Sequence, residues 1–249
     1  MRPRLSVALV LLTALGAWQL LAGRDVASPA GVGAAAWRML GDGSLGRALL
    51  VSWRTVLEGF LIAAALGVPL GILIGYSERI GDWVQPVIGV LRPIAPFAWI
   101  PLAILWFGAS RGAAVMITAY AAFFPIVTNV LGGVARVRAS MIVAARTLGA
   151  GDWTIFRRVV LPGSAPLLLV GLRLGIGLAW AAVIAAELAA GKSTNAPPGI
   201  GYLMYLNFAS EADTNAIVAM MAVIGLSALA ADRAMRWLQA RLVFWPVER

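Results

Sequence analysis

Three ionisable residues, Arg92, Arg173 and Glu187, stand inside long apolar runs of this 249-residue chain. The chain is 61% hydrophobic and only 12% charged, whereas a soluble domain usually carries about 25% charged residues. Too few polar residues are present to cover the surface of a soluble fold, so the apolar runs are predicted to lie in the lipid bilayer. Because charge inside a bilayer is costly, they are functional candidates, and the chemistry they offer is recognition of a charged solute.

Each of the three has an alternative interpretation. Arg92 and Arg173 can offer positive charge to an anion, but Arg173 can also extend toward the membrane surface or bind a carbonyl. Glu187 follows Arg173 by about 21 Å along a helix that rises about 1.5 Å per residue, so the two cannot pair within one helix. Glu187 is therefore expected to bind backbone groups of the loop at 191–202 in preference to a solute.

The residue types that carry most enzyme chemistry are absent. The chain has no histidine and no cysteine, which excludes imidazole and thiolate metal sites, disulfides and triad-type catalysis. Most of its 11 acidic residues lie near the ends of apolar runs. A membrane-embedded enzyme is therefore not expected, nor is a resident metal or cofactor.

Aromatic residues divide into two groups. Trp99, Tyr120 and Trp180 lie within apolar runs and are candidates for lining a solute pathway. Most of the 10 tryptophans are instead expected to anchor the helices at the membrane interfaces.

Six apolar runs have the roughly 20 residues that a helix needs to cross the hydrocarbon. They are about 5–21, 55–76, 83–106, 113–134, 166–188 and 215–231. The first run could be a cleaved signal peptide, but no clean small-residue cleavage site precedes Gly23, which favours an uncleaved helix. The sequence thus predicts an all-α, polytopic membrane protein in which residues 1–249 form a single transmembrane domain.

Arginine placement predicts the orientation of these helices. All but one of the 20 basic residues are arginine, and about twice as many fall inside as outside when both termini are cytoplasmic. Residues 1–50 then hold the first span and an external amphipathic segment at 32–40, residues 51–232 the core and residues 233–249 a cytoplasmic tail. Because the arginines flank spans and do not alternate with exposed aromatics, nucleic acid is not an expected partner.

The third run departs from a regular span. It carries Arg92 together with Pro93, Pro96 and Pro101, and proline removes backbone donors from a helix. We expect a kinked or partly unwound helix here. It is either a plain proline kink packed against its neighbours or a broken helix beside a solute pathway.

The inside segment at 136–162 is the longest on the predicted cytoplasmic face, yet it has a helical composition. Residues 140–148 predict one helix, Gly149 to Gly151 interrupt it, Asp152 is a good N-cap, and residues 153–161 predict a second helix that Pro162 and Gly163 end. Two short helices at a glycine hinge suit docking of a soluble partner. The alternative is a surface loop with helical propensity.

Residues 143–162 read VAARTLGAGDWTIFRRVVLP. This segment resembles the signature of binding-protein-dependent ABC importer permeases: Glu-Ala-Ala, three residues, Gly, nine residues, then Ile-x-Leu-Pro. The positions that match are Ala144, Ala145, Gly149, Val159, Leu161 and Pro162. Val143 stands where the family often has glutamate. The stretches 92–108, 171–188 and 198–203 look like the branch that imports sulfonates, taurine, nitrate or bicarbonate.

The resemblance implies a type I importer permease fold in a bacterial inner membrane. It also implies a second permease copy, two cytoplasmic ATPase subunits that bind ATP and Mg²⁺, and a periplasmic or lipid-anchored solute-binding protein. In that assembly the coupling residues toward the ATPase are Ala144, Ala145, Gly149, Asp152, Leu161 and Pro162. The chain itself has no Gly-x-x-x-x-Gly-Lys phosphate cradle, and Lys192 is its only lysine.

The expected solute is a small oxyanion such as a sulfonate, taurine, nitrate or bicarbonate. The same branch also imports thiamine-precursor pyrimidines and other small organics. An ion-coupled secondary transporter is the remaining alternative, although it needs paired carboxylates near the midplane. Gly171, Gly175 and Ala179 give the fifth run a small face, either for close packing within the chain or for the seam of a homodimer.

Overall fold

A computed structural model describes residues 13, 16–19, 27–137, 139–190, 198–210 and 213–242. The predicted first span, 5–21, and the end of the tail lie largely outside these ranges. The helices are α1 (Pro29–Gly41), α2 (Ser44–Tyr76), α3 (Glu78–Leu91), α4 (Ile100–Phe107), α5 (Arg111–Ala135), α6 (Ala139–Thr147), α7 (Asp152–Ile155), α8 (Leu161–Ala190), α9 (Ile200–Ser210) and α10 (Thr214–Leu242). A 3₁₀ turn, Pro96–Trp99, precedes α4, and a π-helical turn, Phe156–Val160, joins α7 to α8.

Within the described residues, four helices are long and apolar enough to cross a membrane: α2, α5, the continuous helix Asp152–Ala189 and α10. A fifth candidate is α3 together with Pro96–Phe107, bent by 85° at the break. These helices correspond to the second to sixth predicted runs, and the all-α prediction is confirmed. One boundary was wrong: the second run was predicted to begin near residue 55, but α2 begins at Ser44, so Arg47 and Arg54 lie on the helix.

Helix α5 lies between α2 and α8 because both neighbours turn a stripe of small residues toward it. In α2, Gly59, Ala63, Gly67 and Gly71 recur every four residues. A Cβ on Gly71 would stand 2.8 Å from Cβ of Val130, so only glycine allows this approach. The contacts between α2 and α5 advance in the same direction along both chains: position 59 contacts 118, position 67 contacts 126, and position 71 contacts 130. The two helices are therefore parallel.

Helix α8 packs antiparallel on the other side of α5. A Cβ on Gly171 would lie 2.8 Å from Cβ of Asn129, and one on Gly175 would lie 2.9 Å from Ile126. Ala179 is fully buried in the same core. The small face of the fifth run is therefore used for close packing within the chain.

Helix α1 forms a second, smaller core with α9 and α10. Ala35 and Met39 are buried in it, and Nη2 of Arg38 is 3.1 Å from Oδ2 of Asp213 at the start of α10. The predicted segment at 32–40 is thus a helix that packs one face against the bundle.

A set of exposed leucines lies on two sides of α2, away from its contact with α5. Its members are Leu50, Leu57, Leu61, Leu66 and Leu73. In water such a surface would promote aggregation, whereas lipid tails are its natural solvent. The bundle is therefore built for a bilayer.

Candidate functional site: the coupling segment and a cavity at the broken span

Residues 139–160, here called the coupling segment, fold as two helical pieces joined at Gly149. This glycine has φ +80°, a conformation that costs side-chain-bearing residues about 1–2 kcal/mol. The Gly149 N–H donates to Arg146 O and the Ala150 N–H donates to Ala145 O. This pattern closes the C-terminus of α6 and confirms the predicted glycine turn.

Two details of the predicted segment were wrong. Gly151 is the N-cap of α7, and Asp152 is its first helical residue; the Asp152 carboxylate accepts a 3.1 Å hydrogen bond from Arg146 across the turn. Pro162 and Gly163 do not end a helix, because the chain is helical from Asp152 to Ala189. The Leu161 N–H bonds to Phe156 O in the π-helical turn, so Pro162 falls in the first turn of α8, where a missing N–H is tolerated.

The inner face of the coupling segment is packed onto the ends of the spans. Ile155 is buried with Val134 of α5, and Ile142 and Ala145 pack against the same cluster together with Ile72 of α2. The segment is therefore packed against α2 and α5 and is continuous with α8. Ala145 belongs to this inner face, while Ala144 is on the outside.

The outer face of the coupling segment exposes large apolar side chains among charged ones. Leu148 is 87% exposed and Trp153 71%, and Met141 and Val143 are also exposed. Exposed apolar side chains of this size beside a glycine turn are typical of a surface that another protein covers.

The second feature is the broken third span. The helix ends at Leu91, and Pro93 and Pro96 fall in the connection before α4, as the prolines predict. At the break, the Leu91 carbonyl accepts a 3.1 Å hydrogen bond from the Ile94 N–H and a 2.6 Å hydrogen bond from the Tyr120 hydroxyl of α5. The predicted kink is confirmed, and Tyr120 satisfies part of the opened backbone.

A cavity of about 460 Å³ lies at this break, between the connection, the middle of α5 and the C-terminal half of α8. Its lining includes Arg92, Phe97, Tyr120, Phe124, Leu178 and Ala181. Trp99 packs behind it, with its ring 5.3 Å from that of Tyr120. The structure therefore brings three of the predicted pathway residues, Arg92, Trp99 and Tyr120, into one neighbourhood.

Comparison with known proteins bears on both features. The family described as binding-protein-dependent transport system inner membrane component matches residues 67–244, which include the coupling segment and the cavity. The chain belongs to this family. The resemblance drawn from residues 143–162 is confirmed.

Named relatives agree with the family. A putative ABC transporter permease protein of Methanocaldococcus jannaschii is 42% identical, over 83% of this chain and 76% of that protein. The taurine transport system permease protein of Escherichia coli is 34% identical, over 82% of this chain and 72% of that protein. The nitrate import permease protein of Synechococcus elongatus is 32% identical, with the same two coverages.

A solved structure shows the fold. A chain of the MetNI methionine ABC transporter, in an inward-facing conformation, aligns with a TM-score of 0.68 at 15% identity and covers 80% of this chain and 96% of that one. The predicted ABC permease fold is confirmed. The ion-coupled secondary transporter is set aside by the family match.

Two predicted pathway residues of this permease have structural partners and do not line the cavity. Trp180 is 1% exposed in the core, with its ring edge-on to Trp53 at 4.9 Å. Arg173 forms an ion pair with Asp232 of α10, which also binds Arg236 at 2.9 Å. The placement of these two residues does not support direct contact with a solute. The sequence had suggested a solute, the membrane surface or a carbonyl as the partner of Arg173, and it did not predict the ion pair with Asp232.

Glu187 holds the start of α9. Its carboxylate accepts hydrogen bonds from the Gly201 N–H at 3.0 Å and from the Ser52 hydroxyl at 2.8 Å. The Ser52 oxygen in turn accepts from the Ile200 N–H at 2.9 Å. The expected backbone contact of Glu187 is confirmed. Sequence reasoning missed Ser52 and the helix α9, although the apolar run at 200–208 was a signal for a short helix.

Proposed function

We propose that the chain is the non-catalytic, membrane-spanning permease subunit of an ATP-driven importer. Two copies of it would form the pathway, two cytoplasmic ATPase subunits would bind ATP and Mg²⁺, and an external binding protein would deliver the solute. The observation that carries the proposal is the coupling segment, whose outer face exposes large apolar side chains while its inner face is packed onto α2 and α5.

The geometry supports a lever mechanism. The second half of the coupling segment runs without interruption into α8, so a force on Trp153 at the exposed surface is transmitted along one rigid helix. Ile155 transmits the same motion to α5 through Val134. When the ATPase pair closes on ATP, we expect these contacts to switch the spans between two packings.

We place the protein in an inner membrane with both termini cytoplasmic, because the arginine excess then lies inside. The solute is proposed to be a small oxyanion, since relatives are named for taurine and nitrate transport. A thiamine-precursor pyrimidine is the second candidate, and it rests on the sequence resemblance alone.

Complex formation with the cognate ATPase subunit tests the proposal. Co-expressed with a tagged permease, the ATPase is expected to elute with it on size exclusion. Leu148→Ser, at the most exposed apolar side chain of the coupling segment, should weaken that complex about 10-fold or more, because such an anchor contributes about 2 kcal/mol or more.

Ile80→Ser is the matched control, since Ile80 is an exposed apolar residue on the same predicted side of the membrane but outside the coupling segment. Its complex should resemble that of the wild type. Equal binding of the ATPase to both variants would contradict docking at this segment.

A further inference from the structure

The cavity at the broken third span has one charged side chain in its lining, Arg92. The part of the chain that the structure describes places no carboxylate within ion-pair distance of it. Arg173, the other arginine deep within a predicted span, is neutralised by Asp232. Arg92 is exposed at the open side of this cavity, and it is the cation in the described lining that remains available to a ligand.

The depth of the cavity makes this charge costly. Tyr120 and Phe124 lie in the middle third of α5 (Arg111–Ala135), so the cavity lies near mid-depth of a span. An arginine at the centre of a bilayer costs at least about 2.5–3.5 kcal/mol. A bound anion would offset that cost.

The remaining lining is apolar. Phe97, Phe124, Leu178 and Ala181 supply hydrocarbon surface, and the Tyr120 hydroxyl donates its hydrogen to Leu91 O. Among the described lining residues the Arg92 guanidinium is thus the side-chain donor left for a ligand. A volume of about 460 Å³ lies within the usual range of small-molecule sites.

We propose that this cavity is a binding site for an organic monoanion, with its sulfonate or carboxylate on Arg92 and its apolar body against Phe97, Phe124 and Leu178. The assignment rests on the proposed transport function and narrows its solute class. A small inorganic oxyanion has polar oxygens on every side and would leave most of them against hydrocarbon, which costs free energy. Cationic solutes are repelled by Arg92.

Binding of 1-pentanesulfonate to the purified permease in lipid nanodiscs tests the site. Saturation-transfer NMR is the readout, and 1-pentanol and nitrate serve as the neutral and inorganic comparison ligands. We expect 1-pentanesulfonate to bind at least about 10-fold more tightly than either. A charge-assisted hydrogen bond contributes about 1.5–3 kcal/mol, and each 1.4 kcal/mol is about tenfold in affinity.

Four variants locate the binding. Arg92→Gln should lose about 10-fold or more in affinity, while Arg92→Lys should recover part of it. Ala181→Trp should block the cavity and abolish binding while keeping the charge. Arg79→Gln removes a cation from the other end of α3 and should bind like the wild type. Monodispersity on size exclusion checks that each variant is folded.

Several outcomes would overturn the assignment. If 1-pentanol bound as tightly as 1-pentanesulfonate, the cavity would be an apolar groove for lipid tails and Arg92 would not select an anion. If nitrate bound as tightly, the apolar walls would not contribute to binding. No binding to the wild type at millimolar concentration, or binding that survives both Arg92→Gln and Ala181→Trp, would also refute it. Since neither ATPase nor binding protein is present, failure here refutes the binding site alone and leaves the importer proposal standing. Failure of the importer proposal would instead appear as loss of the complex with the ATPase.

Discussion

Gly149 shows at the scale of one residue how the coupling segment depends on backbone conformation. A Cβ at this position would meet no other atom, so space does not require glycine. The φ of +80° does, because a β-branched residue is strongly disfavoured there. Any effect of substitution must therefore come from the turn between α6 and α7.

We predict that Gly149→Val inserts into the membrane but uncouples ATP hydrolysis from uptake. The strain of about 1–2 kcal/mol should shift the turn and misalign the exposed face of the coupling segment. Uptake per ATP hydrolysed, measured in proteoliposomes, should fall several-fold.

Gly151→Val is the matched control for this prediction. Gly151 also has open space around it, but its φ of −72° and ψ of 161° are extended backbone that valine adopts readily. It should transport like the wild type. If Gly149→Val kept the wild-type ratio of uptake to ATP hydrolysis, or if both variants lost it equally, the proposed role of the turn at Gly149 would be contradicted.

Partners of single residues were only partly readable from sequence. The pattern located Glu187 near a loop of backbone donors, but Ser52 lies 135 residues earlier in the chain. Asp232 is likewise 59 residues from Arg173. Pairs of this kind depend on which helices pack together, and the periodicity of one helix carries no such information.

At the scale of helices, the sequence correctly predicted where the third span is broken but wrongly predicted a helix end inside a continuous helix. Pro93 and Pro96 correctly located the bend of the third span, because proline has no N–H to continue the helix. Pro162 was wrongly taken as a helix end, because the π-helical turn before it resets the hydrogen-bond register. A single sequence gives no sign of such a turn.

The glycine stripes on α2 and α8 were a readable signal of helix packing that was only partly used. The α8 face was left open between internal packing and a homodimer seam, and the four-residue repeat in α2 was missed. Both stripes face α5. The centre of the bundle therefore depends on contacts that a single methyl group would disrupt.

The neighbouring glycines of α5 make this packing testable. A Cβ on Gly133 would stand 2.9 Å from Ser164 O of α8 and 3.2 Å from Cβ of Leu167, whereas one on Gly132 would meet nothing. We predict that Gly133→Ala lowers stability by about 1–3 kcal/mol through overpacking. Gly132→Ala should leave stability unchanged or raise it by up to about 1 kcal/mol through helix propensity.

Thermal denaturation of the purified permease in detergent, followed by size-exclusion fluorescence, checks the pair. The midpoint should fall for Gly133→Ala alone. Identical midpoints for the two variants would contradict the close approach of α5 and α8.

At the scale of the whole molecule, composition and one 20-residue motif were enough for the fold class and the family. Composition was sufficient because lipid leaves few ways to satisfy a backbone other than helices. The solute was not readable in the same way, because Arg92 becomes informative only when the bent third span places it beside Phe124 and Leu178. Assembly with other subunits depends on surfaces such as the one around Leu148 and Trp153, whose complements are on other chains.

ATP-dependent uptake is the most direct test of the account. The permease, its ATPase and its binding protein are reconstituted in proteoliposomes, and entry of radiolabelled solute is measured with and without ATP. Uptake is expected only when ATP and the ATPase are both present, and it should fall several-fold with Leu148→Ser. Solute accumulation by the permease alone, without ATP or ATPase, would contradict the central claim that this chain is a pathway driven through its coupling segment.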